Sequence, residues 1–236
     1  MCLRCAVTDG IRNIVIGCPR GAWRHDRVEG EPRQLGEFYA GLLGWRIIRD
    51  DWIKVGAGLE DFPHLAFGDG WTDWGLPVQG RLDVRVPALA PAVEGALAAG
   101  ASVIEHGDER VVLADPFGHP VCVRDGGGAA SAIDEVVFDC PVGETSAMAT
   151  FFERLLGSPI GVSFRDLDGF VPTTWPDPAV PEQIHLDLHF ADRDAAVARA
   201  EVLGARRLPR PSRRGGGATF ADPAGHPLCL CTLTGN

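Results

Sequence analysis

The stretch Ile184-His-Leu-Asp-Leu-His-Phe190 carries the residue types best suited to proton chemistry in this chain. His185, Asp187 and His189 recur with a period of two. On a β-strand that puts all three on one face and Leu186, Leu188 and Phe190 on the other. Imidazole titrates closer to neutrality than any other side chain. His185 therefore reads as a candidate general base, Asp187 as the group that orients the imidazole or the ligand, and His189 as a ligand contact. An earlier stretch, Arg81-Leu-Asp-Val-Arg-Val86, repeats the alternation with Arg81, Asp83 and Arg85 on one face. Both stretches put an aspartate at the third position, Asp83 and Asp187. That points to a shared structural role, such as pairing with Arg81. A plainer reading stands beside the chemical one: the polar face of each strand is simply wet, as on many antiparallel sheets.

Apolar partners for such a face stand nearby in sequence. Trp52, Phe62, Phe67, Trp71 and Trp74 precede the first polar strand, and Phe170 and Trp175 precede the second. Small-molecule pockets are mostly apolar with a few polar groups, so Trp52, Phe170 and Trp175 are candidate ligand contacts, with ordinary packing under a loop as the alternative. Trp175-Pro-Asp-Pro178 reads as a rigid loop that positions the strand after it. His119 and His226 sit in two Asp-Pro-x-Gly-His turns, where a hydrogen-bonding role is expected. His25, His64 and His106 have no second feature beside them. Arg206, Arg207, Arg210, Arg213 and Arg214 form a basic run that reads as a solvated loop or an anion contact. There is no phosphate-binding glycine loop, nucleophile elbow or His-Glu-x-x-His helix.

Composition narrows the field further. The chain has 236 residues, of which 45% are hydrophobic and 23% charged, with a net charge of −10. Those values suit an ordinary globular protein of one or two domains and exclude a collagen-like or wholly disordered chain. The negative balance disfavours nucleic-acid phosphates and anionic lipid as general partners. No run approaches the ~18 apolar residues of a membrane span, and Met1–Asp9 lacks the apolar core of a signal peptide. Seven cysteines, an odd number, point to reduced thiols in a cytoplasm. Cys2-x-x-Cys5 has no second pair nearby and reads as a terminal accident rather than a zinc half-site.

The elements that must position these residues come in two copies. Asn13-Ile-Val-Ile-Gly-Cys18-Pro resembles Glu135-Val-Val-Phe-Asp-Cys140-Pro. Phe38-Tyr-Ala-Gly-Leu-Leu-Gly44 resembles Phe151-Phe-Glu-Arg-Leu-Leu-Gly157, and Asp115-Pro-Phe-Gly-His-Pro-Val-Cys122 resembles Asp222-Pro-Ala-Gly-His-Pro-Leu-Cys229. The blocks recur in one order, so the chain is a tandem duplication. The expected boundaries are 1–126 and 132–236, with 127–131 as a Gly/Ala linker. Cys18/Cys140 and Cys122/Cys229 are repeat-equivalent and read as buried strand residues. In each copy a branched apolar strand (Ile11–Cys18; Ile133–Cys140) precedes a helix (Gln34–Leu43; Ser146–Leu156) closed by glycine. Strands follow at Trp45–Arg49, Trp52–Val55 and His64–Phe67, and at Ile160–Phe164 and Phe170–Thr174. Then come the polar strand (Arg81–Val86; Ile184–Phe190), a second helix (Ala90–Ala99; Arg193–Leu203, capped by Asp192) and a hairpin around Asp-Pro-x-Gly.

With these motifs present twice, the chain resembles the vicinal oxygen chelate superfamily in its glyoxalase-like branch. The motifs are Leu113-Ala-Asp-Pro-Phe-Gly-His-Pro-Val-Cys122, Phe220-Ala-Asp-Pro-Ala-Gly-His-Pro-Leu-Cys229 and Pro181-Glu-Gln-Ile-His185-Leu-Asp187. The resemblance implies an α+β fold of paired βαβββ modules forming cupped half-barrel sheets, in two tandem glyoxalase-like domains. It also implies a divalent metal in catalytic members, held at three strand positions. In the first copy these positions carry Asn13, Arg81 and Cys122, and guanidinium offers no lone pair to a metal. In the second they carry Glu135, His185 and Cys229, which could hold one. Glu135 also becomes a second candidate base.

Three functions fit the residues. The leading expectation is a small-molecule-binding protein with no cofactor, using Glu135, His185 and Asp187 for acid–base chemistry. Arg81, Asp83, Arg85, His189, Trp52, Phe170 and Trp175 would line its pocket. The second is a metal-dependent lyase, isomerase or ring-cleaving dioxygenase with Glu135, His185 and Cys229 as ligands. The third is a drug-sequestering resistance protein of the bleomycin type. In each case the expected partner is a small molecule, with no nucleic acid or membrane, and the chain is a monomer or homodimer.

Overall fold

A computed structural model describes residues 9–18, 22–23, 28–29, 31–59, 61–69, 79–157, 161–174, 179–180, 183–209 and 217–233. Trp71, Trp74, Trp175, Cys2, Cys5, His25 and the basic residues from Arg210 to Arg214 lie outside them. In chain order the elements of the first copy are β1 (Gly10–Cys18), β2 (Ala22–Trp23), β3 (Val28–Glu29), α1 (Glu31–Leu43), β4 (Arg46–Arg49), β5 (Lys54–Gly56), β6 (His64–Asp69), β7 (Gly80–Val86), α2 (Leu89–Ala98), β8 (Ser102–His106), β9 (Arg110–Ala114) and β10 (Pro120–Asp125). The second copy gives β11 (Ala132–Cys140), α3 (Thr145–Leu156), β12 (Val162–Asp166), β13 (Ile184–Phe190), α4 (Arg193–Val202), β14 (Arg206–Arg207), β15 (Ala218–Ala221) and β16 (Pro227–Thr232). The α+β fold of repeated modules is the one the sequence implies.

The strand pairing crosses the repeat. One sheet of eight strands runs β14-β15-β16-β13-β1-β6-β5-β4, and one of six runs β12-β11-β7-β10-β9-β8. The opening module of the first copy therefore joins the closing module of the second through antiparallel β1–β13. The two inner modules join through antiparallel β7–β11. The eight-stranded sheet takes four strands from each copy, and the six-stranded sheet takes four from the first and two from the second.

Local chemistry explains the faces. On β13, Leu186, Leu188 and Phe190 join a core that also holds Ile14, Ile16, Leu65, Phe67, Leu228 and Leu230. That core packs under α1 and α4. The alternate residues of these strands point to the opposite face. The stretch Phe170–Thr174, expected as a strand, has no regular structure. Pro172 removes a ladder donor there, and Thr174 instead bonds Val180 as a loop. Asp192 caps α4 as expected, its Oδ1 accepting from the Ala195 N–H at 2.9 Å, and Gly157 closes α3 at φ 75°.

Gly36, on the buried side of α1, has no room for a side chain: an added Cβ would overlap Cγ2 of Ile53. Gly36→Ala gains about 1 kcal/mol of helix propensity but overpacks the α1–β5 contact at a cost of ~1–3 kcal/mol. Net destabilisation is expected in urea unfolding. A variant at least as stable as the parent would mean that Ile53 yields freely.

The two Asp-Pro-x-Gly-His turns are built alike. Asp115 Oδ1 accepts from the N–H groups of Phe117 and His119, and Asp222 Oδ1 from those of Ala224, Gly225 and His226. In each turn the carboxylate's second oxygen meets the histidine Nδ1, at 2.9 and 2.8 Å. His226 Nε2 then reaches Asp139 O on β11 at 2.7 Å, which ties the eight-stranded sheet to the six-stranded one. Both histidines do structural work, as expected of turn residues.

Candidate functional site

On the polar face of the eight-stranded sheet, register aligns one row of side chains. Cys229 on β16 stands opposite Asp187 on β13, Asp187 opposite Asn13 on β1, and Asn13 opposite His64 on β6. All four are buried. The Asn13 Nδ2 donates to Asp187 Oδ2 at 2.9 Å, and His185 Nε2 lies 3.5 Å from Asp187 Oδ1. His185, Asp187 and Cys229 each offer a ligand atom, and these atoms lie within 4.8 Å of one another. Thr219 Oγ1 is 3.8 Å from the Cys229 Sγ.

The electrostatics of this row favour an ionised Asp187. Burial pushes its carboxyl up, but the facing His185, the Asn13 amide and His189 outweigh burial and hold it below the usual carboxylate range. For His189, burial together with Arg12 and Lys54 lowers the pKa, against the pull of Asp187. The Cys231 thiol, in register with His189, is pushed up to about 12, chiefly by burial and then by Asp187. It is therefore a poor nucleophile at neutral pH. A folded-state depression at Asp187 means that its stabilising contribution is present above the unfolded pKa of ~3.9 and is lost as pH falls through the lower folded value. Asp187→Asn should accordingly flatten the acid limb of the stability–pH curve. An acid limb as steep as that of the parent would contradict the assignment.

Cross-copy pairing separates Glu135 from His185. Glu135 lies on β11 in the six-stranded sheet, opposite Asp83. There Asp83 is wholly buried and takes Arg81 through two bonds, at 2.6 and 3.2 Å, and Arg124 at 3.2 Å. Arg85 pairs with Asp134 at 3.2 Å, and Arg165 with Asp139 at 2.6 Å. The ligand set Glu135, His185 and Cys229 is thus not assembled. Asp187 takes the place beside His185 and Cys229 that Glu135 had been given, because β13 pairs with β1 and not with β11. The expected pairing of Asp83 with Arg81 is present.

The remaining sequence candidates divide. Trp52 lies under the Lys54 Nζ, 4.4 Å from the ring centre. Phe170 packs against the His226 ring, 5.6 Å between centres, and so belongs to the turn. Trp175 is outside the described residues. A groove of about 480 Å³ runs between α1 and α2, but among the described residues Glu37 is the one ionisable group that lines it. Sequence reasoning passed over His64. Its available signal was parity on β6, where it shares a face with Ala66 and Gly68, small residues that leave space beside it.

Comparison with known proteins accords with this architecture. A family model for the glyoxalase-like domain matches twice, over residues 26–124 and 135–231. A search of curated proteins finds no match. Among solved structures, an E144Q mutant of glyoxalase I from Zea mays is 14% identical, with TM-score 0.62, covering 95% of this chain and 94% of that one. A putative dioxygenase from Bacillus subtilis is 15% identical, with TM-score 0.62 and coverage of 97% and 86%. The cppA protein from Streptococcus pneumoniae is 13% identical, with TM-score 0.56 and coverage of 95% and 99%. At such identities the likeness speaks for the fold alone. Two family matches, one in each repeat, carry the assignment: the chain belongs to the glyoxalase-like domain family, as a tandem member of the vicinal oxygen chelate superfamily.

Proposed function

We propose that the chain binds a small organic ligand against the polar face of the eight-stranded sheet, with His185 and Asp187 as an acid–base pair. The observation that carries this reading is the contrast between the two sheets. At equivalent positions the six-stranded sheet pairs its aspartate with two arginines, whereas the eight-stranded sheet carries a histidine, an aspartate and a thiol. Ion-paired arginines leave no group that can exchange a proton near neutral pH, and imidazole does. The Asn13 amide holds Asp187 as the carboxylate, and the carboxylate favours a proton on the facing His185 Nε2. A ligand proton taken up here would rest on the imidazole, stabilised by Asp187.

The experiment is a fragment screen by ligand-observed NMR, repeated on variants. Hits are expected to lose at least about tenfold in affinity in His185→Ala and Asp187→Asn. They should change little in Glu135→Gln, whose side chain lies on the other sheet. Hits weakened by Glu135→Gln and not by His185→Ala would move the site to the six-stranded sheet.

A second reading rests on the donor atoms. An imidazole nitrogen, a carboxylate oxygen and a thiol are a set that suits zinc, whose bonds of ~2.0–2.3 Å these residues can supply. His185, Asp187 and Cys229 would hold it, and when bound it would supply Lewis-acid polarisation of a ligand oxygen. Elemental analysis and a thermal-shift titration with zinc test this. Substoichiometric metal together with an unchanged melting temperature would exclude it.

A further inference from the structure

Two buried acceptor atoms face each other across the β1–β6 ladder. Asn13 is 3% exposed and His64 4%, and the two are register partners on parallel strands. β1 has β13 on one side and β6 on the other. Asp187 on β13 accepts from the Asn13 Nδ2. A carboxylate can only accept, so the NH₂ is the end that faces β13 and the amide Oδ1 is the end turned to β6. The His64 ring is fixed in the same manner. Its Nε2 is 3.0 Å from Gly58 O, and a carbonyl also only accepts, so Nε2 carries the proton and Nδ1 a lone pair. Gly56 on β5 gives the ring its room: an added Cβ there would lie 2.7 Å from His64 Cδ2. Cδ2 and Nδ1 flank the same ring carbon, so with Cδ2 toward β5 the Nδ1 edge is turned toward β1 and Asn13. Neither Asn13 Oδ1 nor His64 Nδ1 has a hydrogen-bond partner among the described residues.

Buried acceptors without donors are rare and ask for an occupant. Resting on the reading that this sheet face is the ligand site, we propose that Asn13 and His64 form an acceptor pair that selects ligands bearing an O–H or N–H donor. His64 is then a specificity-determining residue. Neighbouring strands stand ~4.8 Å apart, so a single donor group placed beside both side chains could reach both acceptors. Burial of His64, with Lys54 and Arg12 adding to it, lowers its pKa, so the ring stays neutral and keeps its lone pair at neutral pH. Phe62, its ring centre 4.6 Å from that of His64, offers an aromatic surface next to the pair.

The test uses benzyl alcohol and benzylamine as donor probes, with benzyl methyl ether and benzyltrimethylammonium as methylated controls that carry no O–H or N–H. Affinity is read by ligand titration, with the imidazole ¹⁵N resonances of the full chain followed in parallel. For fragments of this size, dissociation constants of order 1 mM are expected. The donor probes should bind at least about tenfold better than their controls and should shift the His64 Nδ1 resonance. His64→Phe should erase that preference. Gly56→Ala, which displaces the ring without changing its chemistry, should weaken it, so the inference stays open to test if His64→Phe does not fold. Probes that shift His185 and His189 but show no donor preference would overturn this inference and leave the proposed site standing. A site filled by a tightly held water would give that same result. Probes that leave every resonance of the eight-stranded face unmoved would overturn both. One equivalent of zinc shifting His64 Nδ1 would make the pair a metal ligand set instead, and would also overturn the proposal.

Discussion

Replacing His226 by phenylalanine is expected to destabilise the protein by about 3–5 kcal/mol, the usual cost of breaking a buried ion pair. His226 is 2% exposed, and both of its ring nitrogens face acceptors: the Asp222 carboxylate at 2.8 Å and the Asp139 carbonyl at 2.7 Å. Two acceptors call for two N–H donors, so this geometry favours the imidazolium. Burial works against that charge, but Asp222 and then Asp139 overcome it and raise the pKa above the ordinary histidine value. Phenylalanine keeps the volume and the contact with Phe138 but leaves Asp222 ionised without its counter-charge. The pH dependence separates this cause from lost packing. A raised folded pKa gives stability that is full below the unfolded value of ~6.5 and fades as pH climbs through the folded one. The gap between parent and variant should therefore be wider at pH 6 than at pH 8 in urea unfolding. A gap that does not change with pH would mean that packing alone was lost. His119→Phe should cost less, because Tyr39 Oη still donates to Asp115 Oδ2 at 3.1 Å.

The contrast between local and long-range information explains what the sequence disclosed. Period-two alternation on β7 and β13, the glycine closing α3, the Asp192 cap and both hairpin turns depend on neighbours a few residues away, and all were readable. Strand partners were not. Each copy offers a branched apolar strand, β1 or β11, and a polar one, β7 or β13, and nothing in their composition says which two meet. The structure joins β13 to β1 across the repeat, so Asn13, given no role of its own in the sequence, becomes the amide that donates to Asp187. The same choice carries Glu135 to the other sheet. His64 was hard to read for a related reason: parity with Ala66 and Gly68 on β6 marks its face, but its significance lies in what β1 places beside it.

The same pairing sets up the second large effect, at Asp83. Asp83→Leu is expected to cost about 3–5 kcal/mol, because it leaves the Arg81 guanidinium buried without its carboxylate. The Arg81 side chain is 13% exposed, whereas that of Arg124 is 45% exposed and can turn to water. Most of the loss is therefore assigned to Arg81. The decisive measurement is a double-mutant cycle. If the stranded charge is the cause, Arg81→Leu with Asp83→Leu should be more stable than Asp83→Leu alone, with a coupling of about 1 kcal/mol or more. Simple additivity would show that the cost is lost volume. The consequence reaches past stability. Asp83 and Asp187 hold equivalent places in two related sheets, yet one answers to two arginines and the other to an amide and an imidazole. A carboxylate locked by fixed cations can only hold strands together. A carboxylate facing an imidazole can stabilise a proton held on that ring. Asp83 variants that fold should therefore leave fragment binding at the eight-stranded face unchanged, while Asp187→Asn, the milder change in shape, should weaken it at least about tenfold.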